Sequence, residues 1–329
     1  MTPKVSVAMI AYNHERFVAQ AIESVLAQRT AFDVEIVLGE DCSTDGTRAI
    51  VREFAARFPD RIRLLLPEKN LGANRNFAAV LAASRGEYVA MLECDDYWPD
   101  ADKLQSQVER LDGDRNLTVC FTRAEVVDES GAPIATESVI REVRPTYTQR
   151  DYLARVFQPR TCTVLFRRGL FAELPDWYFR LPVGDFPIHV FNTEHGDFGF
   201  IDRITAAYRI HPGGMWSMGM NPAQWQAETR EQRERMALRL KQVIDLYETM
   251  QTYLGNRHRA TMRAQIANFA RDLTHVNRTL EDWPEMRRSV RLQLRSLPLP
   301  EGTSVPTLLR ALLVSHLPFL ALPPGRQTY

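Results

Sequence analysis

The stretch YVAMLECDDYW, residues 88–98, passes from a continuous apolar run directly into a cluster of acids. Its apolar part, Tyr88 to Leu92, is typical of a strand that is buried on both faces of a sheet. Three similar runs precede it, at Val5 to Ala11, Val34 to Leu38 and Ile62 to Leu66. These runs predict four neighbouring strands of one buried sheet.

Segments with apolar residues at helical spacing separate the four runs. Helices are predicted over Glu15 to Gln28, around Ile50 to Phe58 and around Phe77 to Leu81, with Asn13 as the candidate N-cap of the first. Strands that alternate with helices in this way indicate an α/β fold with a mostly parallel central sheet covered on both faces.

The pattern changes after Trp98. A helix, Lys103 to Leu111, is followed by shorter β segments at Leu117 to Val127 and Cys162 to Arg167. The second half of the sheet, up to about residue 220, is therefore expected to be mixed.

The C-terminal third is predicted to be helical. Two strongly periodic segments cover Gln226 to Tyr253 and Arg257 to Leu280, and Pro284 and Pro298 are expected to break the helical pattern after residue 280. The predicted organisation is thus one domain, residues 1–220, with halves 1–98 and 99–220, and a helical region, residues 221–329.

Composition excludes several classes of protein. Lys plus Arg and Asp plus Glu number 41 each, so no overall charge draws the chain to nucleic acid. The four cysteines form no CxxC pair, which argues against a zinc site or a disulfide framework. The first apolar run is too short for a signal peptide, and Leu308 to Leu322 is interrupted by Arg310, His316 and Pro318. We expect a cytoplasmic protein.

Acidic residues follow two of the predicted strands. Glu40 and Asp41 come after the second strand, and Glu93, Asp95 and Asp96 come after the fourth. Ligands of open parallel sheets bind beyond the carboxyl ends of the strands, so both groups should face one crevice. Carboxylates of this kind suit Mg²⁺ or Mn²⁺ together with substrate phosphates. The alternative is a solvated turn that caps the next helix.

Two aromatic residues, Tyr97 and Trp98, directly follow the acids of the fourth strand. Their position next to the expected crevice favours the first interpretation, in which both rings line a pocket.

Several ordered motifs give the chain a specific resemblance. VAMIAYNHE (7–15), SVLAQ (24–28), EDCSTDGT (40–47) and GEYVAMLECDD (86–96) resemble the motifs of family 2 glycosyltransferases with the GT-A fold. The likeness covers roughly the first hundred residues, with weaker echoes to about residue 217. It implies a nucleoside-diphosphate sugar as donor, a divalent cation, and a hydroxyl group of a glycan or lipid-linked molecule as acceptor.

The resemblance also implies roles for individual residues of the donor site. Ala11, Tyr12 and Glu15 would contact the base and ribose, Asp41 would accept a hydrogen bond from the base, and Arg75 would reach the base or a phosphate. This pattern favours uracil, and hence a donor linked to uridine diphosphate.

The DxD site of the family corresponds to Glu93, Cys94 and Asp95, with Asp96 beside it in the donor site. Asp95 would be the direct metal ligand, and His211 would complete the metal or diphosphate site. The sequence departs from the family pattern at Glu93, where aspartate is usual, and this longer side chain would shift the contact with the sugar.

The resemblance further implies a catalytic base and a lid. Asp185 would deprotonate the acceptor hydroxyl, although an Asp at this point of the pattern is also a good helix start. Trp216 and Ser217, after the glycines of the HPGG motif at 211–214, would lie in a loop that closes over the donor.

The implied reaction is a single displacement with inversion, in the assembly of bacterial surface polysaccharides or glycoconjugates. The alternative is a catalytically silent module that binds sugar nucleotides or glycans, suggested by Glu93. A nucleotidyltransferase would need a glycine-rich phosphate loop, which Ala11 to His14 does not offer.

The C-terminal region admits two interpretations. Arg287, Arg288, Arg291 and Arg295 alternate with apolar residues, as in a helix that lies on the inner face of a membrane. Helices that pack on the catalytic domain, or that form a homodimer, are the interpretation we favour, because prolines interrupt the segment.

Overall fold

The structure is a computed structural model that describes residues 2–136, 140, 142–171, 173–214 and 229–295, together with 304, 306–308 and 311. The chain divides into two compact units, Met1–Met218 and Gly219–Tyr329.

Four parallel strands form the first half of the sheet in the first unit. They are β1 (Val5–Ala11), β2 (Val34–Glu40), β3 (Ile62–Leu65) and β4 (Tyr88–Glu93), in the order β3-β2-β1-β4. Almost every residue of β1, β2 and β4 is buried, as their continuous apolar sequence requires. The predicted parallel α/β core is confirmed.

Four helices accompany these strands: α1 (Val18–Leu26), α2 (Thr47–Arg57), α3 (Ala73–Ala83) and α4 (Lys103–Asp112). Each buries an apolar stripe, which in α1 consists of Val18, Ala21, Ile22 and Val25.

The prediction that Asn13 caps α1 is wrong. Asn13 adopts a left-handed backbone with φ of 56°, and its side-chain oxygen accepts a hydrogen bond from the Thr44 amide. The helix begins only at Val18, because residues 12–17 form a turn that is tied to the loop after β2.

The remaining elements of this unit form the mixed half. They are β5 (Leu117–Val127), β6 (Pro133–Thr136), β7 (Thr146–Tyr147), α5 (Gln149–Leu153), β8 (Leu165–Arg167), α6 (Asp185–Asn192) and β9 (Asp197–Arg209). Strand β8 runs antiparallel to both β4 and β5, whereas β9 runs parallel to β5, so the mixed character is confirmed. The predicted strand at residue 162 begins later, at Leu165, because Thr161–Thr163 form a 3₁₀ turn.

In the part of the second unit that the structure describes, the main elements are the helices α7 (Arg230–Leu254), α8 (Arg259–Leu280) and α9 (Trp283–Arg295). The expectation that Pro284 breaks the helical pattern is wrong, because Pro284 lies in the first turn of α9, where no intrahelical N–H is needed. No helix within the described residues combines the length and apolar content needed to cross a membrane.

Candidate active site

The acids at the carboxyl ends of β2 and β4 lie on either side of the carboxyl end of β1. Glu40 pairs in register with Ala11, and Glu93 with Ile10. The Asp41 amide donates to the Ala11 carbonyl at 2.9 Å. Because β1 separates the two strands, their ends lie roughly 10 Å apart, twice the spacing of adjacent strands. A ligand as long as a nucleoside diphosphate would span that distance.

Three side chains converge beyond β4. The carboxylate of Asp95 lies 3.1 Å from Nε2 of His211 and 3.9 Å from Nε2 of His14. One ligand atom from each of the three residues lies within 4.8 Å of the others. Two imidazole nitrogens and one carboxylate oxygen form a donor set that fits a divalent metal ion and leaves further coordination positions open.

Backbone geometry brings these ligands together. His211 lies two residues beyond the end of β9, its carbonyl accepts from the Gly214 amide, and its ring packs against Phe17 with 4.9 Å between centroids. Asp95 lies in the turn after β4, where its carbonyl accepts a hydrogen bond from Nε of Arg209 at 2.8 Å.

The electrostatic environment shifts the pKa values of the two acids of the DxD-like motif, Glu93 and Asp95, in opposite directions. Burial opposes ionisation of Asp95, but the hydrogen bond with His211 and the charges of the two histidines hold its pKa below the usual value. Burial, and then the charges of Asp96, Asp95 and Asp185, raises the pKa of Glu93 well above its usual value. Burial lowers the pKa of His14, which favours the neutral imidazole that binds metals. Relative to an ordinary carboxyl group, the surroundings thus favour the charged form of Asp95 and the neutral form of Glu93.

Asp185 lies close enough to Glu93 for its charge to raise the pKa of that residue. It is the first residue of α6 and partly exposed. Its Oδ2 accepts a hydrogen bond from the Thr161 hydroxyl at 3.2 Å, and its Oδ1 accepts from the Phe186 amide at 2.7 Å. Burial lowers the pKa of His189, one turn along α6, to about 4, so that ring is neutral at pH 7.

The residues expected to bind the nucleoside lie around the loops after β1 and β2. Asp41 is buried, and its two oxygens accept from the amides of Leu71 (2.7 Å) and Gly72 (2.9 Å). Glu15 accepts from the Gly46 amide at 2.7 Å, whereas the Tyr12 ring is 45% exposed. Asp41 and Glu15 therefore shape these loops, and Tyr12 offers a free aromatic face.

The structure also shows the positions of Glu40 and Arg75, whose contacts the sequence did not determine. Glu40 is fully buried and pairs with Arg48, so it supports the loop and is not a ligand of the crevice. The guanidinium of Arg75 lies 5.0 Å from the centre of the Phe179 ring, which places it at the start of α3 beside residues 178–180.

Two neighbours of the acidic motif, Asp96 and Trp98, are buried and form hydrogen bonds with distant parts of the chain. Asp96 is 2% exposed, and its Oδ1 accepts from the Arg209 amide at 2.8 Å. Trp98 is also buried, and its indole N–H donates to the Cys162 carbonyl at 2.8 Å. The expectation that Trp98 lines a pocket is wrong, because its ring belongs to the core.

Trp216 and Ser217, the predicted lid residues, lie outside the described residues. Sequence reasoning also missed two residues that the structure brings to the site, His14 and Thr161. The motif Asn13-His14-Glu15 after β1 is a signal for His14, since it follows a strand end at the ligand-binding edge. Nothing in the sequence around Thr161 marks its contact with Asp185.

Comparison with known proteins places this geometry in context. Residues 6–174 match the family model described as glycosyl transferase family 2. The uncharacterised protein Rv1520 of Mycobacterium tuberculosis is 34% identical over 273 residues, which cover 80% of this chain and 72% of that protein. The succinoglycan biosynthesis protein ExoO of Rhizobium meliloti is 39% identical over 111 residues, 33% of this chain and 30% of ExoO.

Solved structures share the fold. TarS of Staphylococcus aureus (residues 1–349, in complex with UDP-GlcNAc) aligns with a TM-score of 0.58 and 18% identity over 90% of this chain and 82% of that chain. The mannosyltransferase PcManGT of Pyrobaculum calidifontis, in complex with GDP-Man and Mn²⁺, aligns with a TM-score of 0.57 and 16% identity over 98% of this chain and 82% of that one. At these identities the likeness concerns the fold alone.

Proposed function

Because this chain belongs to glycosyl transferase family 2, we propose that it is a metal-dependent, inverting glycosyltransferase. The donor is a nucleoside-diphosphate sugar, linked to uridine diphosphate, and the acceptor is a hydroxyl group. One observation carries the proposal: Asp95 of the His14, Asp95 and His211 cluster and the carboxyl group of Asp185 both lie within electrostatic range of Glu93, at the carboxyl edge of the parallel strands.

Each part of the proposed reaction has residues suited to it. Asp95 and His211 hold the divalent cation, which when bound supplies positive charge to balance the departing diphosphate. The loops fixed by Asp41 and Glu15 receive the nucleoside, with the exposed ring of Tyr12 against the base. TarS and PcManGT were solved with UDP-GlcNAc and with GDP-Man and Mn²⁺, which supports a sugar nucleotide and a cation here.

Asp185 is the proposed general base. It accepts the acceptor's proton as the hydroxyl oxygen attacks the anomeric carbon, a role that typically contributes about 10²–10⁴-fold in rate. The hydrogen bonds from Thr161 and Phe186 fix the carboxylate, and its partial exposure leaves room for the acceptor. A single attack by the acceptor, with no covalent intermediate on the protein, inverts the anomeric configuration.

The biological setting is also a proposal. ExoO takes part in succinoglycan biosynthesis, as its name states, and its similarity supports a role in assembly of a bacterial surface polysaccharide or glycoconjugate. Such a role places the protein in the cytoplasm, at or near the inner face of the membrane where lipid-linked acceptors lie.

We propose that the helices of the C-terminal unit pack against one another and do not lie on a membrane. The inward side of α9, which includes Met286, Ser289 and Val290, is buried, and Thr274 of α8 hydrogen-bonds Ser289 at 2.8 Å. The amphipathic pattern of α9 is therefore satisfied within the unit. Sedimentation with anionic vesicles tests the membrane alternative, and light scattering of the pure protein tests the homodimer.

A thermal-shift panel tests the proposed donor. A bound sugar nucleotide stabilises the native state by mass action, so a uridine-diphosphate sugar with Mn²⁺ should raise Tm more than a guanosine-diphosphate sugar. An equal Tm with every nucleotide would remove the donor assignment. A transfer assay distinguishes the enzyme from the catalytically silent binding module. The silent module would give the Tm shift without formation of product or hydrolysis of donor.

A further inference from the structure

We propose that His14 is a direct ligand of the divalent cation, and that the resulting set of two histidines and one aspartate favours Mn²⁺ over Mg²⁺. The inference deepens the proposed function and rests on it for the presence of a cation. It concerns a residue of the turn after β1 that lies outside both acidic motifs.

The backbone of His14 is fixed on both sides. Its amide donates to the Thr47 hydroxyl at 2.8 Å, and its carbonyl accepts from the amides of Phe17 and Val18, both at 2.9 Å. The left-handed Asn13 turns the chain at this point. His14 is therefore held between the beginnings of α1 and α2, a rigid mount of the kind that a metal ligand needs.

The ring of His14 makes no hydrogen bond among the described residues. Its side chain is only 16% exposed, its Nδ1 is buried with no hydrogen bond, and its Nε2 lies 3.9 Å from Asp95, beyond hydrogen-bond distance. A cation between His14 and Asp95 would bind Nε2, the ring nitrogen that faces the carboxylate, while Nδ1 would carry the ring proton. A histidine with a purely structural role would be expected to donate a hydrogen bond to a neighbour.

The spacing also suits a shared ion. In an octahedral site with bonds of about 2.1 Å, adjacent ligand atoms lie roughly 3 Å apart and opposite ones roughly 4.2 Å apart. The 3.1 Å between His211 and Asp95 matches an adjacent pair, and the 3.9 Å between His14 and Asp95 falls between the two values. Small side-chain rotations would bring the three atoms onto one ion.

The donor set determines which ion is preferred. Imidazole nitrogen is a poor ligand for Mg²⁺, which prefers oxygen, whereas Mn²⁺ accepts both nitrogen and oxygen. A second imidazole therefore strengthens Mn²⁺ binding more than Mg²⁺ binding. Without His14 the site keeps one nitrogen and one oxygen, and the preference for Mn²⁺ should fall.

Titration of the full chain with Mn²⁺ alone, followed by the electron paramagnetic resonance signal of the free ion, tests the inference. His14→Ala should weaken Mn²⁺ binding at least roughly 10-fold, because removal of a residue that only supports a metal ligand already costs about 10- to 100-fold. Competition with Mg²⁺ should show a smaller loss of Mg²⁺ affinity. His195→Ala, which removes an exposed histidine of the same unit, is the matched control and should leave the affinity unchanged.

Electron spin echo modulation of bound Mn²⁺ gives a readout that a structural role would not change. Two coordinated ¹⁴N nuclei are expected in the unaltered protein and one in His14→Ala; His14→Gln replaces it if the alanine variant does not fold. Unchanged affinity and unchanged ¹⁴N modulation in a folded variant would overturn the assignment, as would failure of the unaltered protein to bind Mn²⁺. Binding of Mn²⁺ through two nitrogens without any sugar-nucleotide binding would instead overturn the proposed function and leave the ligand assignment standing.

Discussion

Replacement of the buried Lys103 by methionine should make the protein more stable at neutral pH and alter how its stability depends on pH. Lys103 is fully buried on α4, where its ammonium donates to Oε1 of Gln107 at 2.5 Å and lies 4.3 Å from the centre of the Trp98 ring. No carboxylate forms an ion pair with it among the described residues. Burial therefore dominates and lowers its pKa from 10.5 to about 7.

The sign follows from proton linkage. Between pH 7 and 10.5 the unfolded chain carries the proton and the folded chain does not, so the free energy of unfolding rises with pH in this window. The slope approaches about 1.4 kcal/mol per pH unit. Methionine at residue 103 does not titrate, so between pH 7.5 and 9.5 the unaltered protein should gain roughly 2–3 kcal/mol relative to Lys103→Met. At pH 7 the variant loses the hydrogen bond to Gln107 but escapes the cost of a buried charge.

Urea unfolding of both proteins at pH 7.5, 8.5 and 9.5 measures this difference. Other groups that titrate in this range are common to both proteins and cancel. Lys69→Met, at an exposed lysine, is the control and should show no pH-dependent difference from the unaltered protein. A difference between Lys103→Met and the unaltered protein that stays constant with pH, or that changes in the opposite direction, would refute the buried-charge reasoning.

Two further predictions concern the proposed base. Asp185→Asn should lower kcat by about 10²–10⁴-fold and leave the Kd of the donor nearly unchanged, because the amide keeps the shape but cannot take up a proton; a kcat within threefold of the original would exclude Asp185 as the base. Thr161→Val should lower kcat roughly threefold to tenfold by removing the hydrogen bond that orients Asp185, and Thr161→Ser should restore it. A loss that serine does not restore would point to packing of the threonine methyl group instead.

The parallel half of the sheet was predictable because its strands are buried on both faces and so leave an unbroken apolar record. The position of the acids at the ends of β2 and β4 was also predictable. Once the parallel strands are recognised, the edge of the sheet where ligands bind lies at their carboxyl ends. The N-terminus of α1 was not, because the side chain of Asn13 bonds to Thr44, 31 residues further along the chain. The preference of Asn for the N-cap position takes no account of a contact so distant in the sequence.

Among the site residues too, the local sequence predicted the residue types, whereas contacts with distant parts of the chain were not predictable. Asp95 was identified from a motif. Its contact with His211, which lies 116 residues further along the chain, depends on the path of β9 beside β5. The roles of Asp96 and Trp98 in support of Arg209 and the Cys162 turn depend equally on distant partners. Glu93 illustrates a third case: its type was evident, but its raised pKa results from burial and three other acids that only the fold brings together.

The central claim is that the side chains around Asp95 bind a cation that in turn binds a diphosphate. Calorimetric titration of uridine diphosphate into the protein, with and without Mn²⁺, measures this coupling directly, since each ligand must strengthen the other by the same factor. The account predicts that Mn²⁺ tightens binding of uridine diphosphate at least about tenfold, or roughly 1.4 kcal/mol, and that Asp95→Ala abolishes this gain. Equal affinities with and without Mn²⁺, or an undiminished gain in Asp95→Ala, would contradict it.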